Sequence, residues 1–219
     1  MCGRYRLTAT DRVRARLGLD DDGLDLKPCY NIAPSQPVPI VRQFDGHRIL
    51  SMARWGLVPF WAKDPSIGYK MINARSETVA QKPAFKQSFA RRRCLIPADS
   101  FYEWMKDGPR KRPFNIGMKD DSVFAFAGLW DSWEPPDGPP VESCTILTTA
   151  ANSLVSALHD RMPVILPPEH CEAWLNAPAS EASSLLLPFD PAPMKRYEVS
   201  LLVNNPKNDS PECIAPLVA

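Results

Sequence analysis

The order of apolar and polar residues along the chain favours short strands over long helices. Val38–Arg42 and Arg48–Trp55 are apolar runs on either side of Phe44-Asp45-Gly46, a hairpin signal. Arg93–Pro97, Phe101–Trp104, Pro113–Met118, Val123–Trp130, Cys144–Thr149 and Tyr197–Val203 read as further strands. Helical spacing is weaker. Thr8 or Thr10 is placed to cap a short helix over Asp11–Leu17, which Gly18 ends. Lys82–Arg91 sets Phe85 and Phe89 four apart on one face, with Pro83 near its first turn. Asn152 is a candidate cap for Ser153–Leu158, and Pro168–Asn176 and Ser180–Leu187 complete the predicted helices. Asp20–Lys27 is acidic and predicted to be a loop. Glu134–Pro140 (EPPDGPP) is the best candidate boundary, but strands flank it, so it reads as a hairpin loop. The expectation is one α+β domain over residues 1–219 with a largely antiparallel sheet.

Composition sharpens this picture. The 219 residues include 24 prolines and only 10 glycines, which suits rigid turns and short strands rather than a flexible chain. A chain of this length buries about 70% of its unfolded surface, so it needs no disulfide or metal to fold. Charged residues interrupt every apolar run well short of the ~18 residues of a spanning helix. MCGRYRLTATDRVRAR lacks the apolar core of a secretory signal, so a reducing cytoplasm is expected. None of the six cysteines forms a CxxC pair; Cys94 and Cys144 lie in apolar runs and are expected to be buried. The formal net charge is +1, yet residues 1–112 carry 21 Lys and Arg against 11 Asp and Glu, and residues 113–219 carry 5 against 14. Two outcomes fit: the halves attract each other within the fold, or a basic face meets a polyanion.

Cys2 is the first candidate for chemistry. Once Met1 is removed, Cys2 presents an α-amine and a thiol on adjacent carbons. The amine has a reference pKa of about 7.7–8.0 and the thiol one of about 8.5. Nearby Arg4 and Arg6 are expected to lower the thiol further. Such a pair condenses with an aldehyde to an imine, and the thiol then closes a thiazolidine ring. Asn73 in MINARSET (Met71–Thr78), Glu103 in FYEW and His159 in LHDRMPV are polar residues set in apolar runs. Partial desolvation would raise Glu103 towards neutral pH, where a carboxyl both gives and takes protons. His47 and His170 are expected at the surface. Taken singly, each feature has an ordinary alternative. Many chains carry Cys at position 2, MINARSET suits a helix start, and strand alternation would turn Glu103 to water. Trp55, Trp61 and Trp104 lie among basic residues, a pattern that suits base stacking or an ordinary core.

Together these segments form a signature. MCGRY, YNIAPSQ, RWGLVPFWAKD, MINARSET, RRCLIPADSFYEW, FAGLW, TILTTAAN and LHDRMPVIL occur in this order. The set resembles the SOS-response-associated peptidase (SRAP) family, the abasic-site processing proteins, over nearly the whole chain. The resemblance implies a barrel-like sheet core and, as substrate, an abasic site in single-stranded DNA, whose ring-opened sugar offers the aldehyde. It implies Cys2 as the capturing residue, Glu103 and His159 as acid–base groups, and Asn73 as the residue holding the adduct. Arg4, Arg75 and Arg161 would bind phosphates, Trp104 would line the site, and Trp55 or Trp61 would stack on bases. Met1 would leave by self-cleavage or through an aminopeptidase, and a lyase side reaction is conceivable at the imine. No metal or small-molecule cofactor and no membrane are implied, and a cytoplasmic monomer, nucleoid-associated when on DNA, is expected. Two rival readings use the same residues. One is a thiol peptidase acting in trans through Cys2, His159 and Asn73. The other is a non-catalytic single-strand binder using Arg54, Arg75, Arg91–Arg93 and the tryptophans.

Overall fold

The computed structural model describes residues 2–20 and 24–217. Its first half holds β1 (Tyr5–Leu7), α1 (Val13–Leu17), β2 (Cys29–Ile32), β3 (Pro37–Phe44), β4 (His47–Trp55), β5 (Asn73–Arg75), α2 (Lys86–Arg91), β6 (Arg93–Ala98) and β7 (Ser100–Asp107). Then follow β8 (Arg110–Met118), β9 (Phe124–Trp133), β10 (Val141–Ala150), β11 (Arg161–Pro163), β12 (Ile165–Leu166), α3 (Pro168–Asn176), α4 (Ala179–Ser184) and β13 (Met194–Glu198). The α+β class and the predicted strands are present, most of them longer than the sequence indicated. Part of the predicted Asp20–Lys27 loop, residues 21–23, lies outside the described residues.

Five strands close on themselves. β4 pairs with β3, β3 with β6, β6 with β9, β9 with β10, and β10 returns to β4. This ring is the barrel, and β10 is its hub. Residues Ser143–Thr149 are all buried, the continuous burial of a central strand rather than the alternation of an edge. β10 also carries β5 in parallel and β11 antiparallel. The sheet is therefore mixed, with the β4 and β5 pairings of β10 parallel and the others antiparallel. Asp45 and Gly46 adopt φ of 47° and 81°, as a two-residue turn between β3 and β4 requires.

A second sheet, in the order β13-β8-β7-β1-β2, packs against the barrel. Tyr5 of β1 joins the two. Its ring meets Trp55 edge-on at 5.3 Å and Phe126 at 5.7 Å. A buried polar knot fixes the same strand. The Asp99 carboxylate is 2% exposed and pairs with the Arg6 guanidinium. It also accepts from the Thr8 N–H at 2.7 Å, the Thr8 hydroxyl at 2.8 Å and the Ala9 N–H at 2.9 Å.

Several predicted segments differ. The strand expected over Tyr197–Val203 stops at Glu198, because Val199 donates to the Pro113 carbonyl and Pro113 has no N–H to return. A 3-10 turn, Leu201–Asn204, follows, with the Ser200 hydroxyl accepting from the Leu202 N–H. Only Lys86–Arg91 of the Lys82–Arg91 prediction is α-helical. Ser153–Leu158 is a run of turns; Asn152 still caps it, accepting from Leu154 and Val155 N–H groups at 3.1 and 3.0 Å. MINARSET begins a strand, not a helix. Among the described residues no helix is long and apolar enough to cross a membrane.

The charge asymmetry is largely spent inside the fold. Arg42–Glu142, Arg48–Glu172, Arg92–Asp131 and Arg112–Glu198 each join the basic half to the acidic half. Arg93 is 7% exposed and donates to the Phe89, Trp174, Leu175 and Ala177 carbonyls, closing the end of α3. It is thereby removed from any surface that binds a polyanion.

Asp99→Ala leaves the Arg6 guanidinium buried without its carboxylate. It is expected to cost about 3–5 kcal/mol, read from urea unfolding. A loss under ~1 kcal/mol would show that the knot does not hold β1.

Candidate active site

Cys2 precedes β1 and is fully buried. Two neighbouring elements hold it. The Asn73 side-chain N–H donates to the Cys2 carbonyl at 2.7 Å. Asn73 stands opposite Ile146 on β10, and the Trp55 indole fixes the preceding Ile72 carbonyl at 2.8 Å. The Asn73 Oδ1 is buried with no hydrogen-bond partner, an acceptor left open beside Cys2. β7 supplies Glu103, whose carboxylate field acts on the Cys2 thiol. Burial, with that field added, pushes the thiol well above the ordinary thiol range. This reverses the sequence expectation of a thiol lowered by Arg4 and Arg6. Those guanidiniums point elsewhere, Arg6 to Asp99 and Arg4 to the Asn31 Oδ1 at 2.8 Å and the Val203 carbonyl at 2.7 Å.

Glu103 is 3% exposed, so the water-facing reading is overturned. Cys2 and His159 both act on its carboxylate, so the face that alternation turns outward is occupied by other parts of the chain. Burial raises its carboxyl above the usual carboxylate range, an effect opposed in part by His159. Glu103 and His159 line one cleft of about 460 Å³, with Trp104, Lys106, Lys111 and Asn204. His159 follows the Asn152-capped turns; its Nδ1 accepts from the Arg161 N–H at 2.9 Å and lies 2.7 Å from the Asp160 carboxylate. With the ring neutral, Nδ1 is the acceptor and the proton sits on Nε2. With the ring charged, Asp160 is the partner.

The structure thus gathers Cys2, Asn73, Glu103 and His159, and it sorts the predicted DNA contacts. Arg75 is exposed on β5, two residues beyond Asn73. Arg161 forms a fork with Glu77 at 2.5 and 2.9 Å and donates to the Thr148 carbonyl at 2.6 Å, which lowers the Glu77 carboxyl. Both of its terminal nitrogens are thus engaged, while in Arg4 only Nη1 is, and the Nε of each is buried without a hydrogen-bond partner among the described residues. Trp104 lines the cleft with its indole N–H on Asn204 at 2.7 Å, and the Arg4 guanidinium lies 6.0 Å from its ring. Trp55 is fully buried against Tyr5 and cannot stack on a base. Trp61 is 48% exposed and free to do so. Arg54 packs on Tyr69 at 5.1 Å. Cys94 and Cys144 are buried, His47 and His170 are exposed, and all six cysteines are free. Sequence reasoning missed Lys106, Lys111 and Asn204 in the cleft; the KDGPRKR run at the β7–β8 turn was the available signal. Among the described residues no group of three His, Cys, Asp or Glu could hold a metal.

Known proteins are similar to this chain over most of its length. The abasic site processing protein YoqW of Bacillus subtilis is 46% identical over 222 residues, covering 98% of this chain and 99% of its own. The abasic site processing protein HMCES of Xenopus tropicalis is 31% identical, covering 100% of this chain and 79% of its own. A crystal structure of a Bacteroides thetaiotaomicron protein superposes with a TM-score of 0.90 at 30% identity, covering 99% of this chain and 100% of that one. The family model for SOS response associated peptidase matches residues 1–206, and the chain belongs to the SRAP family.

Proposed function

We propose that this protein processes abasic sites in single-stranded DNA by capturing the opened sugar covalently on Cys2. The observation that carries this reading is that Glu103 borders both the buried Cys2 and the open cleft. The names of its relatives, abasic site processing proteins, point the same way.

The chemistry starts once Met1, which lies outside the described residues, has left by self-cleavage or through an aminopeptidase. As the hemiacetal opens, the bond from C1 to the ring oxygen breaks; His159 Nε2 passes a proton to the ring oxygen and takes one from the C1 hydroxyl, which becomes the aldehyde. The Cys2 amine adds to that carbon. Glu103 in its acid form protonates the carbinolamine hydroxyl, which departs as water and leaves the imine. The resulting carboxylate takes the thiol proton while sulfur bonds to the imine carbon, and the five-membered ring closes. One water is lost per adduct. The raised thiol keeps sulfur protonated until that moment, so a base at hand is required, and Glu103 is the base in reach. The same burial disfavours a thiol peptidase acting in trans, which needs an accessible thiolate. The exposed Arg75 binds a flanking phosphate in this reading.

Intact mass after incubation with an abasic single strand and denaturation is expected to show protein less Met1, plus oligonucleotide, less water. Unmodified protein lacking Met1 would overturn the reading. Cys2→Ala keeps an α-amine but no thiol. It is expected to give no adduct that survives denaturation, only an imine that borohydride traps. A stable adduct in that variant would exclude the ring.

Glu103→Gln is expected to slow capture by about 10²–10⁴-fold. The wild-type rate rises with pH as the amine loses its proton and falls again as Glu103 ionises. The variant loses the falling limb, which a pH–rate profile reads. Stability gives an independent check. A carboxyl raised in the native state holds its proton there above the unfolded value of about 4.3, so its burial weakens the fold as pH rises through the native value. Glu103→Gln is therefore expected to be more stable than wild type at pH 7 and to lose that advantage at about pH 4, by urea unfolding at both.

A further inference from the structure

The cleft holds two cations that neither the fold nor the chemistry above employs. Lys106 and Lys111 face each other directly across the β7–β8 hairpin, and both line the cleft beside Trp104 and Glu103. Both are exposed. Like charges directly opposed on a strand pair are destabilising. The nearby carboxylates do not relieve them. Arg112 takes both, Glu198 in a two-point pair and Asp107 at 3.8 Å. Neither lysine has an ion-pair or hydrogen-bond partner among the described residues.

We propose that Lys106 and Lys111 form a clamp for the backbone phosphates of the single strand that enters the cleft. This rests on the reading that the cleft receives DNA. The repulsion between the two ammoniums disappears when a phosphate lies between or beside them, so the energy stored in the hairpin is returned on binding. Lysine suits the task. Its charge sits on a long flexible stem and has no fixed fork, so it follows a backbone of variable path without reading sequence. The clamp also adds a separate side. Arg75 is exposed on β5, and Arg4 and Arg161 each hold part of their guanidinium on protein acceptors. Lys106 and Lys111 supply the second side. Trp104 opposes Pro113, two residues along from Lys106 on β7, so a base stacked there would set its flanking phosphates near the hairpin.

The test compares wild type with Lys106→Gln/Lys111→Gln in binding a lesion-free, mixed-sequence, fluorescein-labelled single strand across a series of salt concentrations. Two lost phosphate contacts are expected to reduce the slope of log K against log salt by about 1.4, and to weaken binding by about tenfold near ~0.1 M salt. The loss is expected to be equal for strands of different sequence. Capture of free 2-deoxyribose, an aldehyde sugar without phosphate, is expected to be unchanged, and Tm unchanged or higher because a repulsion has been removed. An unaltered slope and affinity would overturn the clamp. If Tm or deoxyribose capture falls, Lys106→Arg/Lys111→Arg decides: it keeps both charges, and failure to restore the slope would also overturn the clamp. A wild type that captures no abasic strand would defeat the proposed reaction instead, while the lesion-free arm still decides the clamp.

Discussion

The position of Cys2 depends on how a three-residue strand is held. β1 is too short for its ladder alone to fix the residues before it, since two strand neighbours of that length give only a handful of hydrogen bonds. The buried Asp99 carboxylate does the rest. It ties Arg6, Thr8 and Ala9 to the junction of β6 and β7, while Tyr5 is pinned between the Trp55 and Phe126 rings. The strand that follows Asp99 is the strand that delivers Glu103. One carboxylate therefore sets the spacing between Cys2 and Glu103.

Burial governs the chemistry on both sides of that spacing. A Cys2 thiol raised by desolvation and a Glu103 carboxyl raised by the same cause both favour their neutral forms. The resting site is thus low in charge. Positive charge lies towards solvent instead. Arg6 and Arg93 are held by the protein's own acceptors, whereas Arg75 near the site and the two hairpin lysines are exposed. Under the proposed function this partition separates recognition at the rim from reaction at the base.

Much of this was legible in the sequence where one residue type has one use. Asp45-Gly46 forces a tight turn, and EPPDGPP joins two strands as expected. The ordered motifs gave the family, and the polar residues singled out within them, Asn73, Glu103 and His159, stand around Cys2 or its cleft. Illegible were the outcomes that depend on partners far along the chain. Alternation predicts water for one face of β7, but Cys2 and His159 stand against Glu103 there. The bonds of Arg4 to Asn31 and Val203 and of Arg161 to Glu77 and Thr148 join residues far apart in the chain, which local sequence does not show. Trp55 beside Arg54 suggests stacking on bases, yet the ring lies in the core. The halves' opposite charges admitted two readings, and the structure holds features of both: ion pairs such as Arg42–Glu142 and Arg92–Asp131 join the halves, while Arg75, Lys106 and Lys111 stay exposed.

The Arg4 contact with Val203 spans 199 positions, and the Asn31 amide donates to Val203, Asn205 and Asn208 together. The segment that pins the amino end is therefore synthesised long after it. On the ribosome the first residues leave the exit tunnel well before residues 203–208 exist, so the amino end spends that interval without its final lock. Enzymes that trim nascent chains meet it while it is open. A product truncated before residue 203 lacks the lock altogether.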